Sequence, residues 1–457
     1  MSTAARTPLR ERLRALLARK FLRDTLTLQA SSLVNALSNL ASTVLLAQLL
    51  GAHAQGQYYI ALALYSLLFF LLNQGVQGAT VSQVAAASAR GLSDKVAAWL
   101  GFLLKGYLLV GLALLALGFL ALPWVAARVV HADAETARWA FWLTLTPFCE
   151  LPRVVVAAAL QGTRRMLPFA RLENGAELLR FFGVGVGALV TGSAAGPVLG
   201  TVAASLLASL VSLGIYARAR AEGAPLPRWR EILGHARDVP LRAGLPLGFK
   251  LGLVRSIDAI GTQALPTLIL QHVSRDPQAV TYLRIAQRLL SVPLLLMQGI
   301  SRNVLPMFSE LAGLRDMARF RRLFLRASLA SGALVSLGVL CALPLVPWGV
   351  GIFFPPDYHA PVTTMALILV PGFVVMSFSI ANDTFYLVTN TLKVGVLVCC
   401  VSLVVNALAV WYLAWVDNFL GVAWGLSFTY ASAAAHYLYE AWWFRRHARE
   451  SQLPGRA

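Results

Sequence analysis

Two arginines, Arg284 and Arg288, stand one helical turn apart in an apolar stretch that meets no acid before Glu310. With Ser291, Leu295, Gln298 and Arg302 they recur at spacings of four, three, four, three and four, which puts all six on one face of a helix. Like charges so placed repel unless an anion or water answers them. Guanidinium forks donate paired hydrogen bonds to oxyanions, so the stripe suits an anionic and above all a phosphorylated ligand. Lys105, Arg153, Arg180, Lys250 and Arg255 also lie inside apolar segments, facing the acids Glu150, Glu173, Glu177, Asp258 and Asp383. Glu150 with Arg153, Glu177 with Arg180, and Arg255 with Asp258 are each three residues apart, a spacing at which helical side chains meet. The remaining surplus is positive. Lys105, Lys250 and Arg302 fall near segment ends, where long basic side chains also reach lipid headgroups. The candidate anion-binding set is therefore Arg284, Arg288, Arg255, Lys250, Arg302 and Arg153, with Asp258, Glu150, Asp383 and Glu177 as candidates for charge balance or coupling.

Such charges need a scaffold, and composition says which solvent surrounds it. Of 457 residues 58% are apolar and 13% charged, with a mean hydropathy of +0.67, more apolar surface than a water-soluble fold can hide. About 20 apolar residues span a bilayer as a helix. That ruler predicts spans at 25–50, 57–83, 97–126, 138–161, 172–192 and 195–216, then 242–270, 278–305, 323–353, 361–388, 391–415 and 419–442. The expected fold is an all-α integral membrane protein of about twelve spans.

The net charge of +19 is a topology signal and not a nucleic-acid footprint. Of the 39 Lys and Arg, 28 fall in the N-terminal segment, the alternate loops and the C-terminal tail, while Arg128, Arg138 and Arg275 alone fall in the opposite loops. Basic loops stay cytoplasmic during insertion, so both termini are expected inside, with Gly196 and Asp417 in outer loops. Residues 8–24 set Leu9, Leu13, Leu16, Leu17 and Phe21 on one face among arginines, the pattern of an interfacial helix on anionic lipid.

Sliding the chain along itself by 224 residues lays Tyr58, Gln74 and Gly75 on Tyr282, Gln298 and Gly299, and Leu143, Leu145 and Pro147 on Leu367, Leu369 and Pro371. At 221, Gly111 and Pro123 meet Gly332 and Pro344. Six spans per half make the repeats parallel, two lobes around a central cavity as in transporters. The expected units are a basic amphipathic segment 1–24, a first lobe 25–216, a cytoplasmic linker 217–241, a second lobe 242–442 and a tail 443–457. In the second span the positions matching the arginine stripe are Ile60, Leu64, Leu67 and Leu71, so the charge belongs to the second half. At 1.5 Å per residue, Arg255 lies roughly 20 Å into its helix and Arg284 roughly 9 Å from the outer end of its own, two depths along one cavity.

No HExxH, GxxxxGK[ST] or GxSxG occurs, and no outer loop has room for a catalytic domain. No enzyme, cofactor or metal site is expected. Cys149, Cys341, Cys399 and Cys400 sit in apolar stretches and read as packing residues.

Residues 45–64, LLAQLLGAHAQGQYYIALAL, resemble the first hairpin of the polysaccharide transporter, or Wzx-type oligosaccharide flippase, family of the multidrug, oligosaccharidyl-lipid and polysaccharide exporter superfamily. Leu50, Gly51, Gly56 and Tyr58 match its pattern of Leu-Gly, a turn and Gly-x-Tyr, while Ala52, His53 and Gln55 depart from it. The resemblance implies flipping of a lipid-diphosphate-linked oligosaccharide, typically on undecaprenyl, between leaflets of the bacterial inner membrane, with other glycan-assembly membrane proteins as partners. A cation-coupled multidrug antiporter of the same superfamily, or a membrane enzyme acting on lipid-linked sugar, are the alternative readings.

Overall fold

The computed structural model describes residues 9–72, 76–240, 256–293, 317–389 and 391–450, with 242, 253, 308 and 311 singly; side chains are described within these except at 9–30, 32, 71–72, 380, 383, 387 and 448–450. Every described element is a helix or helical turn. The first helix runs from Leu9 to Leu72 and is broken at Gly51, where φ is 71° and ψ 170°. A left-handed φ of this kind suits a residue without Cβ, which is the reason for the Leu-Gly of the hairpin. Between Leu9 and Leu50 there is neither Gly nor Pro, so the expected interfacial segment 8–24 continues into the first span as one helix and is not a separate element.

The expected spans recur within the described residues, several with a bend inside them, while 243–252 and 254–255 of the seventh and 294–305 of the eighth lie outside those residues. The second occupies the chain after Gly51 and continues as Val76–Ala89. The third is Ser93–Trp124, extended by a wide turn Val125–Val130. Asp133 accepts the Thr136 amide at 2.8 Å to start the fourth, which bends between Ala134–Leu143 and Thr146–Gly162, just before Pro147. Met166–Thr191 and Ala195–Ala221 complete the first lobe. The second lobe has Leu265–Ser274, Pro277–Ser291, Met317–Ala342 with Leu345–Phe353, and His359–Ser377 with Asn382–Val388. Leu392–Ser432 breaks at Asp417 and Asn418, where the eleventh and twelfth spans meet, and His436–Glu450 follows. Helix therefore runs past 442, and Trp443 and Phe444 are buried, so the tail expected at 443 begins inside the core.

Helix faces such as Phe119 and Leu120, Leu189 and Val190, and Leu408 and Trp415 leave large apolar side chains exposed, the surface a bilayer covers. Cys341 lies on this exposed surface, not in the core.

The described part of the expected linker, 217–240, is packed on the first lobe. Tyr216 donates its hydroxyl to Pro227 O at 2.7 Å, Lys105 Nζ reaches Val239 O at 3.0 Å, and Ile232 is fully buried. Gly101 lets the chain at Ala236 approach so closely that a Cβ there would lie 2.7 Å from Ala236 Cα.

The hydrophobic core is divided in a way that fixes the relation of the lobes. At the end carrying Gly51, His131, Gly192, Arg275 and Asn418, here the far end, one cluster takes residues from both halves, from Leu46 and Ile60 to Leu283, Leu369 and Leu426. Toward the near end, which carries the linker, there are two clusters: one of Val76, Phe102, Val155 and Ile232, the other of Phe320, Phe324, Phe385 and Phe444. Each is built from one half alone. Among the described residues the lobes thus share one core at the far end and have separate cores at the near end.

Hydrogen bonds across the far end agree. Thr281 Oγ1 donates to Ala52 O at 2.7 Å, Gln48 Nε2 to Phe353 O at 2.8 Å, and Gln271 Nε2 to His131 O at 3.4 Å. Gly56 lies directly against Pro277 of the other lobe, and a Cβ on it would meet Pro277 O at 1.9 Å. Gly56→Ala is expected to prop this end open, since overpacking a tight contact costs about 1–3 kcal/mol. Disulfide formation between Gln48→Cys and Phe353→Cys, in a background without the four native cysteines, should fall accordingly; unchanged yield would show that the contact does not hold the lobes.

Candidate functional site

Two helices of the first lobe carry its charges. Thr146–Gly162 supplies Glu150 and Arg153, while Met166–Thr191 supplies Glu173, Glu177 and Arg180 at spacings of four and three, on one face. The expected pairs form: Arg153 Nη2 is 3.0 Å from Glu150 Oε2, and Arg180 Nη1 is 3.1 Å from Glu177 Oε1. The fold links them further. Arg153 Nη1 lies 2.8 Å from Glu173 Oε1, Arg180 Nη2 lies 3.5 Å from Glu150 Oε1, and Ser205 Oγ donates to that same oxygen at 3.0 Å. The result is a chain Glu173–Arg153–Glu150–Arg180–Glu177, three carboxylates held by two guanidinium groups. Arg153, expected among the anion ligands, is held between two carboxylates, its side chain 13% exposed.

The arginine stripe of the second lobe is answered differently. Arg284 and Arg288 lie on Pro277–Ser291, half-buried, and among the described residues neither forms an ion pair with a carboxylate. Arg284 places its guanidinium 5.9 Å from the ring centre of Tyr59, a first-lobe residue, and donates to Gln287 Oε1 at 3.3 Å. Gln287 is fixed in turn by Thr262 O and the Tyr430 hydroxyl, each at 3.0 Å. The cation is thus held by a ring face and an amide, with its remaining donors unanswered by carboxylate.

Two cavities meet at this stripe. One, of about 250 Å³, belongs to the second lobe and is lined by Asp258, Arg284, Gln287, Arg288 and Tyr430. The other, of about 300 Å³, belongs to the first lobe and is lined by Asn39, Tyr58, Glu150, Glu177 and Arg180, with Arg288 reaching it from the second lobe. Arg288 lines both, so it stands where the two halves of a central path join. Polar residues from both lobes converge there on a mostly apolar wall.

Lys250, Arg255 and Arg302, and the side chain of Asp383, lie outside the described residues; the expected Arg255–Asp258 pair lies there too. Asp258 itself is exposed into the second-lobe cavity. Tyr59, Gln287 and Tyr430 were not singled out in the sequence. Gln287 carried a usable signal, three residues from Arg284 on the same helix, whereas Tyr59 and Tyr430 reach the arginine only through tertiary packing.

A family profile described as polysaccharide biosynthesis protein matches residues 21–312, a span that includes the hairpin, the first-lobe charge chain and both arginines. The chain belongs to that family. The helical two-lobed fold that residues 45–64 imply is borne out by solved structures. The chain is similar to an inward-facing multidrug resistance MATE family transporter of the MOP superfamily, with a TM-score of 0.68, 16% identity, and 91% of this chain and 96% of that one covered. It is similar to lipid II flippase MurJ in an inward closed conformation, with a TM-score of 0.68, 15% identity, and coverage of 92% and 87%. The Vibrio cholerae MATE transporter VcmN, as a D35N mutant, gives 0.64, 14% identity, and coverage of 96% and 98%. At these identities the likeness shows a shared fold, the two-lobed, twelve-helix transporter architecture. No curated protein sequence matches the chain significantly. These structural relatives are described as transporters and a flippase, and this chain is a multi-pass membrane protein of the polysaccharide biosynthesis family.

Proposed function

We propose that the protein flips a lipid-diphosphate-linked oligosaccharide, carried on undecaprenyl, from the cytoplasmic to the outer leaflet of the bacterial inner membrane, for cell-surface polysaccharide biosynthesis. The carrying observation is the position of Arg284 and Arg288, neither in an ion pair with a carboxylate among the described residues, both lining the second-lobe cavity and Arg288 the first-lobe cavity as well. A diphosphate offers such forks several oxygens, and the ring of Tyr59 keeps Arg284 in place. The near end is then cytoplasmic, with both termini there, and the substrate enters between the separate near-end cores of the two lobes from the leaflet in which it is made. Rocking of the lobes about the far-end contacts gives alternating access. Arg255, Lys250 and Arg302 extend the positive path, and Asp258, Glu150, Asp383 and Glu177 balance it or couple it to an ion gradient. No step requires a catalytic group or a cofactor.

The profile's description and the likeness to a lipid II flippase support this reading. The multidrug antiporter reading draws on Glu150 and Glu177 in the first-lobe cavity. Each of these carboxylates is already engaged by arginine, which leaves a cationic drug little to bind. Depletion of the protein in its own cell should accumulate a lipid-diphosphate glycan on the inner leaflet, read by mass spectrometry of extracted lipids and by resistance to an outer-leaflet glycosidase. Unchanged lipid intermediates with a changed susceptibility to cationic drugs would overturn the proposal in favour of the antiporter.

A further inference from the structure

The first-lobe cavity has a row of rings along one wall. Tyr58, Leu62, Tyr65 and Phe69 recur at spacings of four, three and four on one face of the second span, and all four line the cavity. The rings of Tyr65 and Phe69 are stacked, 5.6 Å between centres and 28° apart, and both side chains are half-buried. At the repeat offset of 224 residues the second lobe carries Tyr282, Ala286, Leu289 and Pro293 instead. Rings at 65 and 69 are therefore not demanded by the fold.

The polar part of the same wall is rich in acceptors. Ser42 donates its hydroxyl to Ser38 O at 2.8 Å, Thr201 donates to Pro197 O at 2.7 Å, and the Asn39 amide donates to Asn35 O at 2.8 Å. Ser42, Thr201 and Asn39 line the cavity, and each turns a donor onto a carbonyl one turn back in its own helix, which leaves oxygen lone pairs for a ligand. Arg180 is already shared by Glu150 and Glu177. Glu177 meets it through Oε1, and Oε2 has no partner among the described residues. Thr146 is 7% exposed and lines the cavity, and its Oγ1 has no hydrogen-bond partner among the described residues. A phosphate group only accepts hydrogen bonds, so this wall offers it little. A sugar donates from each hydroxyl. Its ring also presents a face of C–H bonds, slightly positive, which complements the negative face of an aromatic ring.

We propose that the first-lobe cavity is a sugar subsite, which takes the ring joined to the diphosphate, stacked on Tyr65 and Phe69 with its hydroxyls on Asn39, Thr146 and Glu177. This rests on the function proposed above and divides the substrate between the two cavities. Arg288 lines both, so a phosphate held by it has the sugar on the first-lobe side and the second phosphate, on Arg284, on the other. Phe373 and Met376 also line the second-lobe cavity and suit the start of the lipid.

The test measures equilibrium binding to the full chain in nanodiscs with two probes, undecaprenyl diphosphate and undecaprenyl-diphosphate-linked N-acetylglucosamine. The wild type should bind the glycosylated lipid more tightly by about tenfold or more, the margin that one or two hydrogen bonds and a ring contact supply. Tyr65→Leu, which installs the residue type of the matching second-lobe position, and Thr146→Val should each remove much of that margin while the bare lipid binds as before. Arg288→Gln should weaken both lipids alike. Equal affinity of the wild type for the two lipids, or an equal loss for both in Tyr65→Leu, overturns the sugar subsite and leaves the flippase reading standing. A wild type that binds neither lipid overturns both. In the wild type alone, nuclear magnetic saturation of the aromatic protons should pass to the sugar ring protons of the bound probe, and transfer confined to the polyprenyl chain overturns the subsite even where the variants fail to fold.

Discussion

Replacing Arg284 and Arg288 together with Gln should abolish translocation of lipid-diphosphate glycan in reconstituted vesicles while leaving membrane insertion intact. Hydrogen bonds to charged groups contribute about 1.5–3 kcal/mol each, so either single variant should lose roughly tenfold to a hundredfold in rate. Gln retains much of the reach and some hydrogen bonding but not the charge or the fork. Lys at either position should restore the rate only in part, because a point charge does not reproduce paired contact to phosphate. Arg288 should be the more sensitive of the two, since it lines both cavities while Arg284 is braced by Gln287 and Tyr59. Insertion should be unchanged or improved, as an intramembrane charge is removed. With protein amounts matched, a double Gln variant that transports at the wild-type rate would move both arginines to a structural role.

The second large effect is expected at Arg153, and on stability before transport. Its guanidinium holds Glu150 at 3.0 Å and Glu173 at 2.8 Å with little exposure on the Glu150 side. Arg153→Met leaves two carboxylates facing each other without their shared cation, and breaking a buried pair in this way costs about 3–5 kcal/mol. The variant should unfold in detergent at a clearly lower temperature than the wild type and accumulate poorly in cells. Adding Glu173→Gln should recover part of the loss, because one of the two stranded charges is then removed. Glu173→Gln alone should be mild, since Arg153 keeps Glu150. Equal unfolding temperatures for Arg153→Met and the wild type would show that the chain of five charges contributes no stability and that Arg153 is available to substrate. Raised salt should move these results little, because screening acts weakly on a desolvated pair.

The sequence by itself determined the solvent and the all-helical, many-span fold of this protein. Spans are legible because lipid forces each crossing to satisfy its own backbone within one helix, so length and apolarity suffice to find it. The pairs Glu150–Arg153 and Glu177–Arg180 were legible for a similar reason, as contacts within one helix follow from spacing alone. The hairpin motif was visible as letters, and its physical content came with the fold: Gly51 carries a left-handed φ, and Gly56 is the point of contact with Pro277 of the opposite lobe. Only the tertiary structure decided that Arg153 also reaches Glu173, twenty residues away, and that Arg180 returns to Glu150. It alone set Tyr59 of the first lobe over Arg284 of the second and put Arg288 at the junction of two cavities. The cavity wall that brings Asn39, Tyr65 and Thr146 together was likewise hidden, because they come from three different spans. Contacts between helices depend on how far each is rotated and shifted against its neighbour, and that is fixed by the packing of all the side chains at once.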